Sequence, residues 1–429
     1  MNPCHHTTIV LGAGSAIEIG APTTKAITDE IRKENKYENY LIHPESDNIE
    51  HFTAVNKIYE HLKVKYPAEP NFEHIYHVLE MLYSYYWVWG NTIKNPDIYS
   101  VIAPFIEPVK GVIDEKESCN LSSLIKQCQL HIMDLINRYD KDFQNNIKNH
   151  SWYMDFWRSF GGFDLFNFNY DTTIEHCLDT YNDGFVESDD VRFKRFDPRK
   201  LLDNNCAYKI CHLHGCIVYF DERYNDPNHD VYNYNSYDLY KWSDYDEVKK
   251  VSTGYLHSNP SSQGGESLFI GPIITGLRKT EKLTVSPYNY YHHYLNSAII
   301  NNHSLLIVGY SFGDLYVNDL FERMNLLHGN KKRIVVITYI EYVSFKESDE
   351  SITKTFHGKE HDLDSINHRE LIFLKKMMED DNFEFRELDA TIDKESSYTS
   401  KNGQVKLFVY GFKSAVTRHK NEIFDFLNE

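Results

Sequence analysis

Close to its N-terminus the chain reads Thr7-Thr8-Ile9-Val10-Leu11 and then Gly12-Ala13-Gly14-Ser15. The short β-branched run has no charged side to turn to water, so it reads as a strand buried on both faces. A strand stopped by Gly-x-Gly, and followed by a chain able to become helical, opens a parallel α/β unit. A second such unit lies far downstream. Leu305 to Val308 runs into Gly309-Tyr310-Ser311-Phe312-Gly313-Asp314, and a helical pattern covers Leu315 to Met324. Further strand signals occupy Asp164 to Asn169, Tyr208 to Leu213, Ser267 to Ile270 and Arg333 to Ile340, the last being the strongest. Strands alternating with helices predict a mainly parallel sheet with helices on both faces.

Residues 29–155 have a different character. Phe72, Ile75, Tyr76, Leu79, Leu82 and Tyr86 recur at three- and four-residue steps, as do Leu121, Leu124, Ile125, Cys128, Ile132, Leu135 and Ile136. Both stretches predict amphipathic helices, so a helical insertion splits an α/β domain made of residues 1–28 and 156–345. Residues 346–429 predict a small α+β segment: a helix from Ile366 to Met378, strands Phe383 to Leu388 and Val405 to Phe412, and a final helix. Residues 221–248, dense in Asp, Asn and Tyr, predict a long surface loop.

Charge and cysteines narrow the function classes. The formal net charge of −18 repels phosphate backbones, so direct nucleic-acid binding is not expected. Seven cysteines without regular spacing argue against a disulfide framework. Cys206, Cys211 and Cys216 are evenly spaced, but the run Cys-His-Leu-His-Gly-Cys reads as a strand ending in a turn, and no metal is expected. No stretch approaches the roughly 20 apolar residues of a membrane span. The first residues lack the pattern of a signal peptide, so the expected location is cytoplasmic.

Four polar constellations sit where strands should end. Gly12-Ala13-Gly14-Ser15, with Gly20-Ala21-Pro22, lacks the Cβ atoms that would keep a phosphate from the backbone; the alternative is a tight turn and nothing more. Asn167-Phe168-Asn169-Tyr170-Asp171 places an amide and a carboxylate two residues apart; the alternative makes Asp171 the cap of a helix starting near Thr172. His212-Leu213-His214-Gly215 puts both histidines on one strand face, with His214 placed to take a proton from a hydroxyl, or to serve structure alone. Gly309-Tyr310-Ser311-Phe312-Gly313-Asp314 offers a hydroxyl, backbone N–H groups and a carboxylate to a ribose or phosphate, while Asp314 can also cap the helix at Leu315.

Together, in this order, the four resemble the sirtuin superfamily. Gly12-Ala13-Gly14 with Gly20-Ala21-Pro22 looks like its phosphate loop, Asn169-Tyr170-Asp171 like its Asn-Ile-Asp element, His214-Gly215 like its catalytic His-Gly, and Gly309-Tyr310-Ser311 like its Gly-Thr-Ser turn. The wording Phe-Asn-Tyr-Asp, His-Leu-His-Gly and Gly-Tyr-Ser-Phe-Gly-Asp is similar to sirtuin-like NAD-hydrolase domains of bacterial anti-phage defence systems. The chain departs from the deacetylases in having no Cys-x-x-Cys pair, Ala16 in place of the usual Ser, and Thr23-Thr24 after Pro22.

The resemblance implies a Rossmann-like fold and NAD as substrate, cleaved to nicotinamide and ADP-ribose. Asn169 would orient water or ribose, Asp171 would hold the nicotinamide carboxamide, and His214 would act as base. Gly12, Ala13 and Gly14 would cradle the pyrophosphate, aided by Ser15, Gly20 and Pro22; Gly309, Ser311 and Asp314 would hold the adenosine side. Protein deacylation and non-catalytic nucleotide sensing remain open alternatives. Because an enzyme that drains NAD endangers its host, the expected partners are further copies of the chain and a regulatory protein such as an ATPase. The ring cluster Tyr83, Tyr85, Tyr86, Trp87 and Trp89 is an expected part of the contact between copies.

Overall fold

The computed structural model describes residues 6–33, 51–65, 69–86, 121–188, 192–203, 205–221, 239–252, 257–259, 268–277, 279–283, 285–339, 353–356, 359–362, 373, 376–377 and 397–429. Its strands are β1 (Thr7–Leu11), β2 (Phe163–Asn167), β3 (Phe185–Glu187), β4 (Phe193–Phe196), β5 (Tyr208–His212), β6 (Tyr219–Asp221), β7 (Leu239–Trp242), β8 (His257–Asn259), β9 (Leu268–Ile270), β10 (Ser304–Val308), β11 (Arg333–Ile337), β12 (Thr353–Phe356), β13 (Lys359–Asp362), β14 (Tyr398–Thr399) and β15 (Val405–Phe408).

Seven strands form the main sheet in the order β14-β15-β11-β10-β1-β2-β5, parallel except for the β14–β15 hairpin. The predicted Rossmann-like α/β fold is thus observed. From β1 the parallel strands follow chain order outward, β2 and β5 on one side and β10, β11 and β15 on the other, so β1 and β10 flank the topological switch point, where open α/β sheets take ligands at their carboxyl edge.

Alternation divides the apolar strand residues between two layers. Ile9, Leu11, Leu165, Leu306 and Val308 pack with Tyr153, Phe156 and Trp157 of the helix Ser151–Trp157 and with Phe412, Ile423 and Phe426 of the C-terminal helix Phe412–Asn428. Phe412 meets the rings of Tyr153 and Phe156 edge-on at 5.8 and 5.3 Å, contacts worth about 0.5–1.5 kcal/mol each beyond burial. Val10, Phe166, Leu305 and Ile307 belong to the other layer, with Leu295 and Ile299 of the helix Tyr288–Asn301 and Leu320 and Phe321 of the helix Leu315–His328. The insertion continues this second layer through Ile75, Leu79, Ile125 and Ile132 of the helices Phe72–Tyr86 and Leu121–Asn145, both of which the periodicity predicts.

Three expectations change. The first glycine turn does not lead straight into a helix: two 3-10 turns, Ala13–Ser15 and Ile17–Ile19, come first, and the helix begins at Thr24 behind left-handed Gly20 and Pro22. In the stretch expected as a loop at 221–248, residues 239–248 form β7 and the start of the helix Tyr245–Ser252, with Leu239, Trp242, Tyr245 and Val248 buried; residues 222–238 lie outside the described residues. The segment after 346 also contributes to the main sheet, with β15 lying parallel to β11.

The predicted strand Phe383–Leu388 and most of the helix Ile366–Met378 lie outside the described residues. So do Trp87, Trp89 and the side chains of Tyr85 and Tyr86, whereas Tyr83 is buried in the core of the insertion. Among the described residues no helix is long and apolar enough to cross a membrane.

Candidate active site

The two glycine turns lie back to back at the switch point. Gly14 N–H donates to Gly309 O at 2.9 Å, and Gly12 N–H to Val308 O at 2.9 Å. A Cβ on Gly12 would come within 2.5 Å of Gly309 O, and one on Gly309, which sits at φ +59°, within 2.1 Å of Ser15 N. The glycines therefore serve first to let two backbones touch. The N–H groups of Ser15 and Ala16 also close onto the turn, at Gly12 O and Ala13 O. Ala13, Gly14, Ser311 and Gly313 remain exposed at this edge, while Gly20 and Pro22 shape the bend into the helix at Thr24.

Asn169 joins β2 to the first turn. Its Nδ2 donates to Gly12 O at 3.3 Å and to Ser15 Oγ at 3.2 Å, and Ser15 Oγ itself donates to Gly12 O at 2.7 Å. The Asn169 N–H donates to Asn167 Oδ1 at 2.9 Å, leaving the buried Asn167 Nδ2 without a partner. Asp171 caps no helix: its Oδ1 accepts from both the N–H and the hydroxyl of Thr173 in a local turn, and the short 3-10 turn Glu175–Cys177 that follows has Ile174 at its N-cap with no side-chain cap. Burial, with Asp140 of the helix Leu121–Asn145 beside it, pushes the Asp171 carboxyl up to about 6.

The two histidines of the His-x-His run part company. β5 ends at His212, and His214 lies in the following turn, so strand alternation no longer holds them to one face. His212 is fully buried and bonds Glu175 Oε1 through Nε2 at 2.7 Å. Lys241 stands 3.8 Å from Glu175 and 2.6 Å from Asp183. Burial opposes the charges, yet His212 and Lys241 hold the Glu175 carboxyl down at about 2, and Glu175 raises His212 above its ordinary value. Cys216 brings its sulfur within 4.8 Å of ligand atoms of Glu175 and His212, but Glu175 is already bonded by His212 and has Lys241 3.8 Å away. Cys206 and Cys211 are not part of that group.

His214 is buried against Phe168, whose ring stands edge-on at 4.7 Å; Phe168 in turn lies 4.9 Å from Tyr310. Burial pushes the imidazole down to about 4, Lys279 adds to this and Asp314 opposes it, so the ring is neutral near pH 7. Its Nε2 has no hydrogen-bond partner; Asp314 Oδ2 is 3.9 Å away. The loop beyond is fastened to this histidine. Ile274 N–H donates to His214 O at 2.7 Å, and Gly215, at φ +89°, pairs with Ile273.

The insertion braces the same loop. Gln129 Nε2 donates to Ile273 O at 3.1 Å, and Lys282, buried, reaches Glu80 at 2.5 Å and Thr275 O at 2.7 Å. Neither the Glu175–Lys241–Asp183 network nor this brace is announced by a local motif, since their members come from separate elements. One strained residue was also not foreseen: Phe312 is left-handed at φ 53° and is held by stacking on Phe373 at 4.9 Å.

Asn169, His214 and both glycine turns thus meet at the carboxyl ends of β1, β2, β5 and β10. Exposed backbone at both turns suits an elongated polar ligand such as a dinucleotide. No curated protein matches the chain. Residues 164–361 match the family model described as SIR2-like domain. They take in β2, β5, β10 and the residues Asn169, His214 and Asp314, and on that match and this sheet the chain carries a sirtuin-like, NAD-related domain.

Proposed function

We propose that the chain is an NAD glycohydrolase. Water replaces nicotinamide on the ribose, yielding nicotinamide, ADP-ribose and a proton. The observation that carries this reading is that Asn169, bonded to the first glycine turn, and His214, 3.9 Å from Asp314 of the second, converge on the switch point. Nicotinamide is a good leaving group, so positioning and charge stabilisation can do most of the work. Asn169, fixed by Gly12 and Ser15, orients the water or the ribose. His214, uncharged, accepts a proton from a ribose hydroxyl. The Asp171 oxygen that Thr173 does not hold is assigned to the carboxamide. The exposed backbone at Ala13 and Gly14 takes the pyrophosphate, and Gly309 and Ser311 take the adenosine side.

The lack of any Cys-x-x-Cys pair favours hydrolysis over deacylation of a protein substrate. The burial of His214 under a loop braced by Glu80 and Gln129 favours conditional activity. On this reading the protein is the effector of an anti-phage defence system. It acts in the cytoplasm as an assembly of several copies, under a second protein such as an ATPase. The test incubates the purified chain with NAD, alone and with proteins encoded beside it, and measures nicotinamide release. No release in any mixture, with turnover of an acetyl-lysine peptide instead, would transfer the protein to the deacylases.

A further inference from the structure

We propose that Asp314 is the positioning residue of His214: its Oδ2 draws the imidazole proton onto Nε2 and leaves the lone pair on Nδ1 for the substrate. This rests on the reading of His214 as the base.

The two oxygens of Asp314 have separate duties. Oδ1 caps the helix Leu315–His328, accepting from Tyr316 N–H at 3.1 Å and Val317 N–H at 3.4 Å. Oδ2 faces His214 Nε2 at 3.9 Å. The cap fixes the carboxylate, so its second oxygen is aimed by the backbone of a helix and not by a mobile side chain alone. That separation is longer than a hydrogen bond, and catalytic contacts are commonly loose before substrate binds. Asp314 stays ionised: burial opposes this, but His214 beside it and the Val317 N–H hold its carboxyl below the usual range.

His214 is neutral near pH 7, so which nitrogen carries its proton decides which one can act as base. Nε2 is sealed from solvent and has no other partner, and a carboxylate opposite it favours the Nε2–H form. The other charged groups acting on this pair are Lys279 and Glu73, near His214, and His292, near Asp314. None of the three is within ion-pair distance of the imidazole among the described residues, so the tautomer is assigned to Asp314.

The decisive variant is Asp314→Asn, whose remaining oxygen can still accept the two N–H groups and keep the cap. Nitrogen-15 NMR of histidine-labelled protein at pH 7, with His214 assigned by its loss in His214→Gln, reads the tautomer without any substrate. The expected result is Nε2–H in the wild type and a shift toward Nδ1–H in Asp314→Asn. In the NAD assay the variant should lose about 10²–10⁴-fold in kcat, with KM changed far less. An unchanged His214 spectrum in Asp314→Asn overturns the proposal. If Asp314→Asn does not fold, Asp314→Ser, also a capping residue, takes its place under the same two readings. A wild-type protein that never cleaves NAD would remove the proposed function, while the tautomer shift would still stand or fall by itself.

Discussion

Two buried regions lie on either side of a single residue, Leu213. At the end of β5, His212 is enclosed with Glu175, Lys241 and Asp183, ionisable groups linked at 2.6 to 3.8 Å. Beyond the strand end, His214 is nearly as buried but meets the ring of Phe168 and one carboxylate at 3.9 Å. Burial alone would discharge both histidines. For the first, an opposite charge within hydrogen-bond reach outweighs burial and raises the imidazole; for the second, no opposite charge is that close and burial lowers it to about 4. A buried imidazole bonded to an opposite charge serves the fold, and a buried imidazole without such a bond is available to chemistry.

The largest effect should come from the unsatisfied side. His214→Ala is expected to lower NAD cleavage by about 10²–10⁴-fold while the melting transition moves little. Wild-type turnover in this variant would break the comparison. His212→Ala should do the reverse, costing about 3 kcal/mol of stability by uncovering Glu175 while leaving turnover per folded molecule within about ten-fold. Urea unfolding together with the NAD assay separates the two, and a stable but inactive His212→Ala would mean that the roles are exchanged.

A smaller effect concerns pH. His214 titrates near 4 in the folded chain and near its ordinary 6.5 when unfolded, so the unfolded chain binds the proton first as pH falls. Its contribution is complete above about 6.5 and is lost on the way down to about 4, at up to about 1.4 kcal/mol per pH unit. His212, raised by Glu175, contributes fully below its unfolded value and loses that only as pH rises through its higher folded one. Asp171, raised to about 6, works against His214 in the same acidic window. The measurement is therefore a difference: His214→Gln should remove a pH-dependent loss between pH 6.5 and 4, and His212→Gln should not. The smallest expected effect is that of chelation, which should leave folding and activity unchanged, with Glu175 neutralised by His212 and Lys241. Stoichiometric zinc, released together with loss of structure, would make Glu175, His212 and Cys216 a metal site instead.

Several elements were legible from pattern alone. The runs at Thr7–Leu11 and Leu305–Val308 are near-continuously apolar, and each lies in the middle of the sheet. The three- and four-residue spacings in Phe72–Tyr86 and Leu121–Ile136 became helices of the insertion. The departure of His214 from the strand face of His212 was not legible, because alternation applies only as far as the strand runs and β5 stops at His212. The buried half of the 221–248 stretch was hidden by its Asp, Asn and Tyr content, which masked the spacing of Leu239, Trp242 and Val248.

Local pattern is enough for the α/β class and for the polar residues that end the central strands, because period and glycine placement are local properties of a chain. Tertiary structure alone decided which of those residues are satisfied. Glu175 meets Lys241 across 66 positions and His214 meets Asp314 across 100, separations read directly from their numbers. A charge state depends on whichever group the fold brings to within a few ångströms, and no local pattern records that.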